Sequence, residues 1–217
     1  MTGGTGYLGR PLLDELLERG HAVRALVRPG SEGKLPTGAV KALGNALDES
    51  TFASSISAGS TLVHLVGTPH PSPAKAAEFR RVDLVSIQAS TRAAVTSRAA
   101  HIIYVSVAHP APIMDAYIAV RREGEALVSA TGIPATILRP WYVLGPGHWW
   151  PYALVPVYAV LRQIPSTRDG ALRLALVTHR AMVNALVHAV ENPPSQGIRV
   201  LDASAISRLE PAGARSH

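Results

Sequence analysis

The chain has 217 residues, 47% hydrophobic and 17% charged, which excludes a disordered chain and fits one domain of ordinary size. It carries 21 Lys and Arg against 15 Asp and Glu, and its only lysines are Lys34, Lys41 and Lys75, so chemistry that needs an amine must use one of these. With no cysteine, disulfides, thiolate catalysis and cysteine metal sites are excluded; no charged and apolar leader follows Met1, and a reducing, cytoplasmic setting is expected.

The arginines are single or paired rather than clustered with aromatics, so a nucleic-acid surface is not expected. The longest uncharged apolar stretch, 149–161, is broken by Pro151 and Pro156 and is too short to span a membrane. Its rings (Trp149, Trp150, Tyr152 and Tyr158) suit a greasy substrate pocket, a peripheral contact with a partner or membrane surface, or core packing.

Helices and strands alternate along the chain. Leu8, Leu12, Leu13, Leu16 and Leu17 fall at helical spacing, and Gly20 stops the helix. Strands follow at 21–27 and, more weakly, 39–43, then a buried strand at 61–66 ended by Gly67. A long helix is expected over roughly 74–99, the strongest strand at 101–107, a helix over 114–130 and a strand at 135–138. Helix 152–162, strand 172–177, a helix capped by Thr178 and running to about 191, and strand 198–201 complete the pattern. Residues 202–217 lack periodicity and are expected to be loose. Such alternation predicts parallel βαβ units with helices on both faces of the sheet, and ligands beyond the carboxyl ends of its strands.

The chain opens on Thr2-Gly-Gly-Thr-Gly-Tyr-Leu-Gly9, a G-x-x-G-x-x-G run directly before an amphipathic helix. Gly3 supplies backbone angles closed to other residues, Gly6 admits a diphosphate to the main chain, and Gly9 permits close packing. The amides of Thr5, Gly6, Tyr7 and Leu8 would then face the phosphates at a helix N-terminus. This is the pattern of a Rossmann-type dinucleotide site, which places an acidic residue on the ribose about 20 residues further on when the coenzyme is NAD. Here the second strand ends in Arg28, with Ser31 close behind, so a 2′-phosphate is the better match and NADP is expected over NAD.

With these residues the chain resembles the short-chain dehydrogenase/reductase superfamily, in its extended and atypical branches (NAD-dependent epimerase/dehydratase or NmrA-like). The resemblance rests on residues 2–9, R-A-L-V-R-P-G-S at 24–31, G-N-A-L-D at 44–48, H-L-V-G at 64–67, Y-V-S at 104–106, Y-I-A-V-R at 117–121 and L-R-P-W-Y-V-L-G-P-G at 138–147, covering about 1–200 in order. It implies an oxidoreductase or epimerase-like activity on a carbonyl or alcohol. Asn45 and Ala46 would lie near the adenine, Val66 and Gly67 along the path to the nicotinamide, and Pro140 to Tyr142 at its carboxamide. Tyr117 would be the acid/base and Ser106 its partner on the same oxygen. No metal is implied, and His64 and His70 have no carboxylate partner to complete a metal site.

Three departures stand out. Tyr-x-x-x-Lys appears as Tyr117-x-x-x-Arg121, and Arg121 can lend charge and bond a ribose hydroxyl but cannot relay a proton. Asp83 stands where extended members often have asparagine. Before Gly3 stand only Met1 and Thr2, where an apolar strand of about five residues is usual; the first strand reads as truncated, and the natural protein is expected to begin upstream or this chain to be a fragment. The expectation is a doubly wound α/β domain over 1–201, with 145–180 as a short substrate lobe, an apolar small-molecule substrate and dimerisation through the two long helices. The alternative is a non-catalytic NADP(H)-binding redox sensor or assembly protein.

Overall fold

The computed structural model describes residues 1–111, 113–145 and 174–210. Helix α1 (Gly9–Glu18) buries Leu12, Leu13 and Leu16 and turns Arg19 outward onto Glu15, one helical turn back. It ends as expected at Gly20, in a left-handed conformation (φ 81°), where Gly20 N–H bonds Leu17 O and His21 N–H bonds Leu16 O.

Strands β1 (Arg24–Val27) and β2 (Val40–Leu43) form one parallel ladder. Strands β3 (Thr61–His64), β4 (His101–Val105), β5 (Ala135–Arg139) and β8 (Ile198–Asp202) form a second, in that order. Met1 and Thr2 join the two. Leu26 N–H bonds Met1 O at 2.8 Å, and on the other side Thr2 N–H bonds Val63 O at 2.9 Å and Leu65 N–H bonds Thr2 O at 3.3 Å. Met1 and Thr2 therefore stand as the middle row of the sheet, with Thr2 bridged in parallel to His64. On its amino-terminal side a cavity of about 440 Å³, walled by Leu16, Val23, Leu62 and Val63, separates β1 from β3. Chain order reverses at this middle row, which makes it the switch point of a doubly wound sheet and puts its carboxyl end where such folds bind ligands.

The long helix expected over 74–99 is divided. A 3-10 turn (Pro73–Lys75), the short α2 (Ala76–Glu78) and a π-helical segment (Phe79–Leu84) lead into α3 (Val85–Thr96). The π segment carries Phe79, Asp83 and Leu84 into the interior. Helix α4 (Asp115–Ala130) packs so tightly on β4 that a Cβ on Gly124 would lie 2.4 Å from the Tyr104 hydroxyl. Strand β6 (Tyr142–Leu144) pairs with β7 (Leu176–Thr178), and Thr178 caps α5 (His179–Glu191) through Ala181 N–H, as expected. Residues 203–208 correct the expectation of a loose stretch from 202, and 211–217 lie outside the described residues. Asp202 accepts a bond from Ala205 N–H at 2.7 Å, caps α6 (Ala203–Arg208) and lets it bury Ile206. The expected helix 152–162 and the rings of 149–161 lie outside the described residues.

One polar row runs through this interior. His64 Nδ1 meets Thr2 Oγ1 at 3.1 Å and Ser90 Oγ at 2.9 Å, and burial followed by the Arg121 charge lowers its pKa to about 3. Burial, then Arg199, lowers His101 to about 4. The fold therefore holds both rings neutral while the unfolded chain protonates them below about pH 6.5, so stability is full above that value and falls with pH toward 4. The melting temperature should drop by about 5 °C between pH 7 and pH 5 from His64 alone. In His64→Gln, thermal melts across this range should be flatter; an unchanged slope would refute the assignment.

Candidate coenzyme and active site

Gly3 lies in the left-handed region (φ 75°), and a Cβ there would sit 2.8 Å from Leu65 C. A Cβ on Gly9 would come within 2.1 Å of Gly3 O, so only a bare main chain lets α1 start against this turn. Gly6 N–H bonds Gly3 O, closing the turn, while Thr5, Gly6 and Tyr7 face outward. The loop amides and the first turn of α1 thus form the donor-rich start of a helix at the switch point.

The loop opens into a cavity of about 380 Å³. Gly3, Gly6, Tyr7, Leu8 and Gly9 line one end; Gly67, Ser106, Tyr117, Arg121 and Pro140 line the remainder. The glycine loop and the Tyr/Ser pair, far apart in sequence, therefore share one cleft. Trp141, within the span Pro140 to Tyr142, is on its wall, whereas sequence reasoning missed Leu65, Thr68 and Val143. Position just after a strand was the available signal for Leu65 and Thr68, and Val143 follows Tyr142 within a quoted motif.

The remaining expected sites do not line this cavity. Thr5 lies on the outer side of the loop, and Val66 sits between the wall residues Leu65 and Gly67 without lining the cavity itself. Arg28 is exposed at the carboxyl end of β1, and Ser31 N–H bonds its carbonyl at 3.0 Å. Asn45 spends its side-chain oxygen on Leu47 N–H at 3.1 Å, in a tight turn over Ala46 after β2. Tyr142 lies in β6, paired with Leu176.

Arg121 lines the cleft with its guanidinium already engaged by protein: Nη2 donates to Asp83 Oδ1 at 2.6 Å and Nη1 to Val105 O at 3.0 Å, with the guanidinium carbon 5.0 Å from the centroid of the Tyr117 ring. Asp83 Oδ2 accepts from Thr68 N–H at 2.9 Å and Thr68 Oγ1 at 2.6 Å. Both charged groups are buried, with side-chain exposures of 7% and 0%. Burial opposes the Arg121 charge, but Tyr117, Tyr104 and Asp83 outweigh it and hold its pKa above the ordinary value. A Cβ on Gly67 would reach 2.3 Å from Arg121 Nη2, so a side chain here would displace the guanidinium from its place. Arg121 thus binds α4, the end of β4 and the loop after β3 into one wall, with its charge against the face of the Tyr117 ring.

Two turns along α4 from Tyr117, Glu125 forms a forked pair with Arg139, at 2.9 and 2.5 Å. Burial pushes the Glu125 carboxyl up, but the Arg139 bonds prevail and hold it below its ordinary value. Ser106 Oγ lies close enough to feel that carboxylate but is buried without a hydrogen bond of ordinary geometry among the described residues. A buried hydroxyl of this kind, lining the cleft beside Tyr117, matches an oxygen of a bound molecule. No trio of metal-ligating side chains occurs among the described residues, and no described helix is long and apolar enough to cross a membrane.

Known proteins agree with this geometry. The chain is 29% identical over 167 residues to a 4-hydroxy-2-methyl-3-oxo-4-farnesyl-3,4-dihydroquinoline-1-oxide ketoreductase of Stigmatella aurantiaca, matching 67% of this chain and 50% of that protein. It is 31% identical over 155 residues to the ceramide reductase of Caulobacter vibrioides, matching 68% of this chain and 46% of that one. The chain thus spans about half the length of these two relatives. A short-chain dehydrogenase/reductase superfamily protein from Agrobacterium tumefaciens with bound NAD superposes with a TM-score of 0.67 at 18% identity, covering 95% of this chain and 80% of that one. Residues 3–146 match the model of the NAD(P)H-binding family, and with its glycine loop, switch-point cleft and parallel sheet the chain belongs to that family.

Proposed function

We propose that the protein is an NADP(H)-dependent reductase of a carbonyl on an apolar small molecule. The carrying observation is the shared cleft, with the glycine loop at one end and Ser106 and Tyr117 at the other. The crowding at Gly3, Gly9 and Gly67 fits a coenzyme laid against bare main chain. A bound nicotinamide supplies or accepts the hydride. Tyr117 gives its phenolic proton to the substrate oxygen, and Ser106 donates a hydrogen bond to that oxygen and orients it. Leu65, Pro69, Trp141 and Val143 keep water from the reacting end. These walls suit an apolar carbonyl better than a sugar, and the two curated relatives are named as reductases of substrates with farnesyl or ceramide parts. Tyr117→Phe should lower turnover of aryl and long-chain ketones at least ~100-fold while NADPH affinity stays within about threefold. Stopped-flow and binding titrations decide it, and undiminished turnover would refute the acid/base role.

Arg28 at the end of β1 supports NADP over NAD. Arg28→Glu should weaken NADPH binding about tenfold and leave NADH binding equal or tighter. Equal effects on the two coenzymes, measured by calorimetry, would remove Arg28 from the discrimination.

A second reading, a non-catalytic NADP(H) sensor, draws on the Asp83–Arg121 pair, because a guanidinium locked to a carboxylate cannot pass protons. The two readings share one structural prediction. Asp83→Asn strands a buried guanidinium and should cost about 3 kcal/mol, and Asp83→Asn with Arg121→Lys, the pairing common in the resembled superfamily, should recover part of it. Chemical denaturation measures both. Turnover in that double variant but not in wild type would favour the sensor, whereas ketone-dependent NADPH oxidation by wild type favours the enzyme.

A further inference from the structure

The outer side of the glycine loop is held by a residue that motif reading does not single out. His179, the first residue of α5, places Nε2 2.9 Å from Tyr7 O. A carbonyl only accepts, so Nε2 carries the proton. The imidazole also meets the Tyr7 ring edge-on, with centroids 4.4 Å apart and planes at 65°. Behind both runs Gly145, where a Cβ would lie 2.1 Å from the Tyr7 hydroxyl and 2.9 Å from His179 Cβ. The Tyr7 ring is therefore clamped between α5 and the end of β6. The Thr178 cap fixes the helix end that carries the imidazole.

The peptide joining Tyr7 to Leu8 is trans, so its C=O and N–H point in opposite directions. His179, which does not line the cleft, takes the carbonyl of a peptide whose two residues both line it, and the opposed Leu8 N–H is left on the other side of that peptide. We infer that His179 is a positioning residue for the coenzyme: it fixes the plane of this peptide so that the Leu8 amide is presented to the diphosphate bridge of a dinucleotide. The inference rests on the coenzyme reading above and adds to it a residue more than 170 positions from the loop. It also means that the strand pair β6–β7, which flanks the reacting end of the cleft, is mechanically tied to the phosphate end.

The test compares wild type, His179→Leu and His179→Gln in titrations with NADPH and with adenosine 2′-phosphate, which lacks the diphosphate. His179→Leu should weaken NADPH about tenfold and leave adenosine 2′-phosphate within about twofold; His179→Gln, which keeps an N–H donor, should restore NADPH to within about threefold of wild type. An unchanged NADPH affinity in His179→Leu, an equal loss for both ligands, or no rescue by Gln overturns the inference while leaving the coenzyme reading intact. A wild type that binds neither ligand overturns the coenzyme reading and this inference with it.

Discussion

Everything in this cleft follows from how closely α1 approaches the turn before it. The start of the helix lies against Gly3 O, and the turn itself lies against the Leu65 carbonyl, at distances no Cβ allows. That approach brings the free amides of the first helical turn over the end of the middle row of the sheet, where the chain order reverses. Moved outward by a side chain at Gly9, the helix would lose its donors to water and the contacts of Leu12, Leu13 and Leu16 in the core. The loop geometry is thus anchored in packing at one end of α1, and the site uses what that packing leaves unsatisfied at the other.

The opposite wall of the cleft is held by buried charge. In a region with little water, Arg121 is tolerable only because Asp83 meets it, and Asp83 because Thr68 and Arg121 satisfy both of its oxygens. The pair resists separation, since a lone member would carry the whole desolvation cost. Three elements converge there: the π segment bearing Asp83, helix α4 bearing Arg121, and the β3 loop bearing Thr68. Where the resembled superfamily offers a mobile amine, this chain has a planar donor held by Asp83 and Val105 O. The Tyr117 ring therefore meets a fixed positive charge on its face.

Much of this was legible because it is written in local pattern. Leucine spacing and Gly20 bounded α1, Thr178 announced α5, and the alternation of strands and helices gave the doubly wound class. The glycine loop was legible because backbone approach leaves few residue choices. What was not legible depended on long-range pairing. Nothing in the spacing of Asp83 and Arg121 shows that a π segment turns the carboxylate inward to meet the guanidinium. The cap at Asp202 was visible in principle, as an Asp ahead of a helix, but six residues are too few for periodicity to declare α6. His179 had no signal, because its partner is a backbone carbonyl and carbonyls leave no trace in sequence.

Helix α4 shows how one periodic face serves several needs. Tyr117, Arg121 and Glu125 succeed one another at single-turn spacing, so they form a line along the helix facing the carboxyl ends of β4 and β5. The first lines the cleft, the second carries a paired positive charge, and the third carries a negative charge answered by Arg139 at the end of β5. Arg121 and Glu125 are each closed into an ion pair, with side-chain exposures of 7% and 11%. Val105 O and Arg139 tie these two groups to the ends of β4 and β5, and that fixation of the helix against the sheet holds the Tyr117 side chain, at the other end of the line, in the wall of the cleft.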